Sequence, residues 1–211
     1  MCYSFKSSIT AWLFSLISCI YMLSSSNYNN WIPLFILTFT QIQIMEAVIW
    51  TSMGKNNEVN SQATKLILFL LFLQPLLNSY IGYKNTNNDI LLYLCIFYIL
   101  IIIYYYFSTK NDKFLSTVGP NHHLVWNRSN NDGKTKQFFG NGIFALIYLV
   151  GMFLPFLFYK GKMGIITIIF GLVTFILTAI NYKDEFSSMW CYSSVLLSFI
   201  ALVFNRKSID K

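Results

Sequence analysis

Glu46 is the only charged side chain between residues 7 and 54, a stretch long enough for two apolar helices. An ionised carboxyl deep in a bilayer is energetically costly, so an intramembrane acid is a candidate for proton transfer or cation binding. If these residues are helical, Gln43, Glu46 and Trp50 share one face. The alternative is that Glu46 is hydrated near its helix end, or is neutral and hydrogen-bonded to Gln43 or to another helix.

A second polar group surrounds Pro75. Gln74 and Asn78 are four residues apart, so their amides lie on the same face of a helix. Pro75 has no backbone N–H, which leaves a carbonyl of the preceding turn without its usual donor. If neighbouring helices bring Gln43 and Glu46 opposite Gln74 and Asn78, the four side chains form one site for a small polar solute, a cation or a proton. Alternatively, the two amides only fasten helices together, each contributing about 0.6 to 2 kcal/mol.

Polar and aromatic residues also cluster at the start of the last apolar stretch. We predict that they form a helix-packing surface or a secondary site: Ser187, Ser188, Trp190 and Cys191. A nucleophile there needs a base within about 3 Å, and Glu46 is the one acid at depth. No histidine or second acid would orient that base, so we assign no catalytic residue and do not favour an enzyme. A Glu46 carboxyl within hydrogen-bond reach of a serine or cysteine in this stretch, beside a water-accessible cavity, would overturn this ranking of the hypotheses, whereas a separation beyond about 8 Å would remove the enzyme hypothesis.

Small and hydroxyl residues recur at helical spacing in three of the apolar stretches. Such residues let membrane helices approach closely, so we predict buried seams rather than a solute pathway. The seams are Ser4, Ser8, Ser15 and Cys19; Gly164, Thr167, Gly171, Thr174, Thr178 and Asn181; and Ser187, Cys191, Ser194 and Ser198.

The composition predicts the scaffold that positions these side chains. Hydrophobic residues make up 55% of the 211 and charged residues 11%, whereas a soluble domain carries roughly a quarter charged residues. The charge-free stretches have the length of about 20 residues that a helix needs to cross a bilayer. We predict an all-α, polytopic integral membrane protein, one domain spanning residues 1–211 and built as a bundle of seven transmembrane helices. The predicted helices are 5–23, 31–50, 65–83, 89–108, 138–159, 163–182 and 186–205, with an exposed loop at 109–137.

Three features of this organisation have alternative interpretations. Lys6, the apolar run at 9–23 and the small residues after it resemble a cleavable signal peptide, although the polar seam of this segment favours a retained helix. Three helices, a linker helix and three more would also fit a carrier with two pseudosymmetric halves. Nine Lys and Arg on one side against six on the other predict a cytoplasmic N-terminus, but the glycosylation sequon at Asn127 requires the long loop to be lumenal.

Several other classes of function are disfavoured. The net charge of +7 comes from single or paired basic residues at helix ends, so nucleic acid is not a predicted partner. Cys2, Cys19, Cys95 and Cys191 lack the spacing of a disulfide framework or zinc site and are predicted to be reduced packing residues. Adjacent His122 and His123 give no metal triad, and helices five to seven hold no lysine for a Schiff base. No metal or cofactor is predicted.

Four short motifs resemble an uncharacterised seven-helix membrane family of giant DNA viruses, algae and fungi. They are Cys2-Tyr3-Ser4 with Ser8; Gln43 with Met45-Glu46; Leu73-Gln74-Pro75-Leu76 with Asn78; and Ser187-Ser188-Met189-Trp190-Cys191. The resemblance covers nearly the whole chain. It implies a multi-pass protein with polar motifs in helices one, two, three and seven, and it supplies no activity.

We therefore predict a multi-pass membrane protein that binds or passes a small polar solute, a cation or a proton at the polar site inside the bundle. The second hypothesis is a structural or interaction protein without transport, and the third is a membrane enzyme or receptor. The predicted partners are the lipid bilayer, a small polar solute or cation, and a second copy of the chain or another membrane protein.

Overall fold

The computed structural model describes residues 4–129, 135–137, 142–182 and 185–206. Within these residues the protein is mostly helical, in agreement with the predicted all-α class. Six helices are long and apolar enough, by length and composition, to cross a membrane. The seven helices are α1 (Phe5–Ser24), α2 (Trp31–Ser52), α3 (Asn57–Thr86), α4 (Asp89–Thr109), α5 (Gly142–Phe153), α6 (Lys162–Asn181) and α7 (Phe186–Phe204).

The fifth predicted span differs from the observed structure. It was expected to be one long helix over 138–159, but α5 ends at Phe153 and a 3₁₀ segment, Leu154–Phe158, follows. Pro155 is the reason, because it lacks the N–H that an α-helix needs and its ring collides with the carbonyl four residues earlier. Residues 138–141 lie outside the described residues, as does Cys2.

α3 is longer than the predicted span 65–83. The Asn56 side chain accepts hydrogen bonds from the backbone N–H groups of Glu58 and Val59, both at 3.1 Å, and so begins the helix eight residues earlier than expected. Its 30 residues span about 45 Å, against about 30 Å of hydrocarbon in a bilayer. The first turns of α3 therefore extend beyond the apolar part of the bundle.

The segment expected to be an exposed loop, 109–137, contains a three-stranded antiparallel sheet. Its strands are β1 (Lys113–Val118), β2 (Leu124–Ser129) and β3 (Thr135–Gln137), in that order. The side chains of Phe114, Leu124 and Trp126 are buried. β1 lies against α3 and β2 against α7, so the sheet covers the extended end of α3 and packs on the bundle.

α2 lies at the centre of the bundle, in contact with α1, α3 and α7. α2 runs antiparallel to α7, since Glu46 contacts Ser188 near one end while Asn205 donates to the Asn29 carbonyl at the other, at 2.9 Å. The Ser15 and Ser198 hydroxyls meet at 3.1 Å, which places the predicted seams of α1 and α7 together. Cys19, Cys95 and Cys191 are free and buried, as predicted.

Candidate functional site

Glu46 lies inside the bundle and faces α7. The Ser188 hydroxyl donates a hydrogen bond to Glu46 Oε1 at 2.5 Å, and both side chains are 0% exposed. Glu46 is six residues before the end of α2 and Ser188 is in the first turn of α7. At 1.5 Å per residue the pair lies about 3 to 9 Å inside these helix ends. The pair is therefore buried close to the sheet-bearing face.

Two further buried side chains lie one turn deeper. Gln43 precedes Glu46 by three residues on α2, and Cys191 follows Ser188 by three residues on α7; both are fully buried. Because the two helices are antiparallel, these steps lead in the same direction. The predicted face of α2 and part of the predicted group on α7 thus form one interface, with Glu46 and Ser188 at its outer end.

Trp190 has another role in the packing. Trp190 packs edge-on against Phe39, Tyr148 and Phe175, and its indole N–H donates to the Gly171 carbonyl at 3.3 Å. This ring fastens α7 to α6 rather than lining the Glu46 interface. Ser187 is half-buried, and the side chain of Ser194 lies outside the described residues.

Gln74 and Asn78 have partners other than Glu46. Gln74 Oε1 accepts from the Tyr148 hydroxyl, and its amide donates to the Thr38 carbonyl at 3.3 Å. Thr38 precedes Glu46 by eight residues on α2, which is about 12 Å along the helix axis. The structure therefore describes a second polar cluster at another depth.

Asn78 joins three elements of the bundle. Its side-chain oxygen accepts from the Trp31 indole N–H at 2.9 Å, and its amide donates to the Met152 carbonyl at 2.9 Å. Asn78 is fully buried. Both of its polar atoms have partners within the protein, so it links α3 to the start of α2 and the end of α5.

The difference in depth between Glu46 and the two amides of α3 follows from the short turn between α2 and α3. Residues 53–56 form that turn, and residues equally distant from it face each other in an antiparallel pair. Trp31 and Asn78 are equally distant from the turn along the chain and therefore face each other. Glu46 is closer to the turn and lies at the level of Ala63 on α3. This arithmetic was available in the sequence, but the partners on α5, Tyr148 and Met152, had no comparable signal.

The pair formed by Glu46 and Ser188 meets the distance condition for a nucleophile and base. Cys191 lies one turn from Ser188 and is close enough to Glu46 for an electrostatic interaction between the two side chains. Two cavities, of about 20 Å³ and about 430 Å³, are lined by other residues. Both side chains of the pair are fully buried, and neither of these two cavities reaches them.

A separate polar cluster lies where the sheet meets the start of α7. His123 is fully buried against the ring of Tyr182, with 5.5 Å between ring centroids. Glu185 accepts a hydrogen bond from the Asn121 backbone N–H at 2.7 Å. Burial lowers the pKa of His123 to about 4, partly opposed by the negative charge of Glu185. His123 is therefore neutral at physiological pH.

Neither the histidine pair nor the other ligand-type residues form a metal centre in the described part of the chain. There, no three His, Cys, Asp or Glu residues lie close enough together to hold a metal ion. His122 has a positive φ of 60°, the left-handed conformation of a tight turn. It therefore lies in the turn that connects β1 to β2.

Comparisons of the chain with protein families, curated proteins and solved structures find no match. The resemblance to the giant-virus membrane family stays a prediction. Function must accordingly be argued from the geometry of the described residues.

Proposed function

We propose that the protein is an integral, multi-pass membrane protein in which Glu46 and Ser188 form a proton-binding site. Six helices have the length and composition of membrane spans. Large apolar side chains also point outward, including Tyr93 on α4 and Ile180 on α6, each 67% exposed. Contiguous apolar surface of this kind is unfavourable in water and suits a lipid environment.

The observation that carries the proton-binding proposal is the buried hydrogen bond from Ser188 to Glu46. A hydroxyl can donate to a carboxylate and accept from a carboxylic acid, so Ser188 can bond to both protonation states of Glu46. A solute or hydrated cation needs a cavity or several oxygen ligands at the site. A proton needs no such space, so of the three predicted ligands it is the one that this fully buried pair can bind without a cavity.

The position of the pair indicates the side from which protons enter. Ser188 lies in the first turn of α7. Glu185, three residues earlier, contacts the β1–β2 turn of the sheet. The opposite end of α7 is more than ten residues away, where Asn205 bonds to Tyr159 at 2.9 Å. We therefore assign proton exchange to the sheet-bearing face, with a change in the α2–α7 contact as its structural effect.

Membrane embedding is tested first, because the rest depends on it. Membranes containing the expressed protein are washed with alkaline carbonate, and the protein is expected to stay with the lipid until detergent is added. Release of folded, monodisperse protein into the detergent-free wash would refute the membrane assignment.

Infrared difference spectroscopy then tests the site in reconstituted protein. A carboxylic C=O band that rises and falls with pH is expected in the parent, absent in Glu46→Gln and displaced in frequency in Ser188→Ala. Glu58→Gln is the matched control, because Glu58 is an exposed carboxyl at the start of α3. An unchanged difference spectrum in Glu46→Gln, with folding verified by circular dichroism, would eliminate Glu46 as the proton site.

A second candidate function is a structural or interaction protein without any ligand. It is favoured by Gln74 and Asn78, whose amides bond to neighbouring helices and so serve as fasteners. In that case Gln74→Leu and Glu46→Gln lower folding yield alike, and Glu46→Gln removes no pH-dependent carboxyl band from the spectrum of the parent. Crosslinking in the membrane would then recover a stable partner protein or a second copy of the chain.

A further inference from the structure

A groove of about 430 Å³ runs between α2 and α3. Its volume is in the range of sites that hold a small organic molecule, about 300 to 1,000 Å³. Most of the ten lining side chains are apolar and half-buried, and Tyr80 at one end is exposed. The five leucines are Leu34, Leu37, Leu70, Leu73 and Leu77.

The three polar side chains of the groove direct their hydrogen bonds elsewhere. The Thr38 hydroxyl donates to the Phe35 carbonyl at 2.6 Å, and the Gln41 amide donates to the Leu37 carbonyl at 3.3 Å. Gln74 bonds to Tyr148 and to the Thr38 backbone. The groove therefore presents an almost wholly apolar surface despite its two glutamines.

The groove has the length of one bilayer leaflet. On α3 it extends from Leu70 to Ile81, eleven residues or about 16 Å, which is half of a hydrocarbon core of about 30 Å. On α2 its inner limit is Gln41, at the middle of that helix. It thus begins near the helix ends, beside Tyr80, and stops at the midplane.

The outer end of the groove is positively charged. The Lys84 ammonium lies 5.7 Å from the centroid of the Tyr80 ring. The described charged residues at this end of the bundle are four basic side chains and one acidic: Lys84, Lys160, Lys162, Arg206 and Asp89. An anionic headgroup there would be attracted by these charges.

We propose that this groove binds one acyl chain of an anionic phospholipid, whose phosphate lies at Lys84. The proposal rests on the membrane embedding proposed above and is independent of Glu46. Apolar lining holds the chain along the leucines, the groove length matches one leaflet, and Lys84 selects the headgroup.

The test uses protein reconstituted in phosphatidylcholine vesicles that contain a minor fraction of phosphatidylglycerol with a photoreactive diazirine in its acyl chain. After illumination, labelled peptides are located by mass spectrometry. We expect labelling concentrated on α3 between Leu70 and Ile81. Unlabelled phosphatidylglycerol should compete roughly fivefold better than phosphatidylcholine, the preference that about one surface lysine supplies.

Two variants separate the chain contact from the headgroup contact. Leu77→Trp fills the groove and should abolish most α3 labelling, whereas Leu66→Trp, at an exposed position of α3 outside the groove, should not. Lys84→Gln should remove the preference for phosphatidylglycerol and keep the chain contact. Lys55→Gln, at the other end of α2 and α3, is its control.

Uniform labelling of the outward-facing residues of α3, α4 and α6 would overturn the groove assignment. Undiminished labelling of α3 in Leu77→Trp would also overturn it. An equal effect of Lys84→Gln and Lys55→Gln would overturn the headgroup assignment. Flotation of the vesicles distinguishes these outcomes from failure of the membrane proposal, since protein that does not float with the lipid is not embedded.

Discussion

Replacing Asn78 with leucine removes the polar link between α2, α3 and α5. Asn78 accepts from the Trp31 indole and donates to the Met152 carbonyl, both at 2.9 Å. Leucine is close to asparagine in size and shape, so the substitution removes these two bonds without leaving a large cavity. Both former partners remain in the interior, with Trp31 only 1% exposed.

The expected loss follows from the number of bonds and the groups left behind. A buried hydrogen bond contributes about 1 kcal/mol net, and a buried donor or acceptor without a partner costs about 1 to 3 kcal/mol. Measured side-chain bonds between membrane helices average only about 0.6 kcal/mol and reach about 1.7. Two bonds therefore predict a decrease of about 2 kcal/mol in the free energy of unfolding.

Unfolding by dodecyl sulfate in mixed micelles, followed by circular dichroism, measures this difference. Asn85→Leu is the matched control, because Asn85 is on the same helix but is exposed, and its amide donates to the Ile81 carbonyl of its own helix at 2.8 Å. Its expected effect is below about 0.5 kcal/mol. Equal stability losses in the two variants would show that Asn78 does not fasten the helices. A double-mutant cycle with Trp31→Phe should give a coupling energy of about 1 kcal/mol.

Three further substitutions or conditions probe packing, protonation and the sheet. Gly151→Ala places a methyl group against the Tyr98 ring, so a loss of about 1 to 3 kcal/mol is expected from overpacking; unchanged thermal unfolding would contradict that contact. Burial lowers the pKa of His123 from 6.5 to about 4, so the unfolded chain binds the proton first: stability should be complete above about pH 6.5 and decline towards pH 4. His123→Gln should flatten this part of the profile, and an identical profile would exclude His123. Asn60 bonds to the Ser116 carbonyl at 3.0 Å and accepts from its N–H at 2.8 Å, so Asn60→Ala should speed hydrogen exchange in β1, and unchanged protection would show that the sheet is held elsewhere.

The sequence predicted the helices well where charge-free length determined them. Five helices begin and end within a few residues of the predicted spans: α1, α2, α4, α6 and α7. The reason is that a long apolar stretch has few ways other than a helix to form all of its backbone hydrogen bonds. The fifth span differed at Pro155, whose effect on a helix was readable from the sequence. α3 began early because Asn56 caps it, a local signal outside the apolar window.

The sheet was missed because its strands are short and lie among Asn, Lys and Ser residues. β1 and β2 are joined by a turn at Gly119-Pro120, where the Gly119 N–H donates to the His123 carbonyl at 2.8 Å. Burial of Phe114 and Trp126 depends on contact with the bundle, and such tertiary contacts are absent from local patterns.

The sequence predicted which residues belong to the candidate site, but it did not predict which of them contact each other. Helical periodicity placed Gln43 and Glu46 on one buried face of α2. Which helix that face meets depends on how all seven helices pack, and the chain connections alone did not specify the contact between α2 and α7. The interface of Glu46 with Ser188 therefore needed the structure.

The sheet is attached to two helices that are far apart in the chain. Asn60 ties β1 to α3, and Glu185, just before α7, holds the β1–β2 turn. Ser188 follows Glu185 by three residues, so a displacement of the sheet would be transmitted through Glu185 to the first turn of α7. A force applied to the sheet from outside the bundle would tilt that turn and separate Ser188 from Glu46. The coupling also runs in reverse, so a change of charge on Glu46 should move the sheet, and a fluorophore on β1 would register that movement.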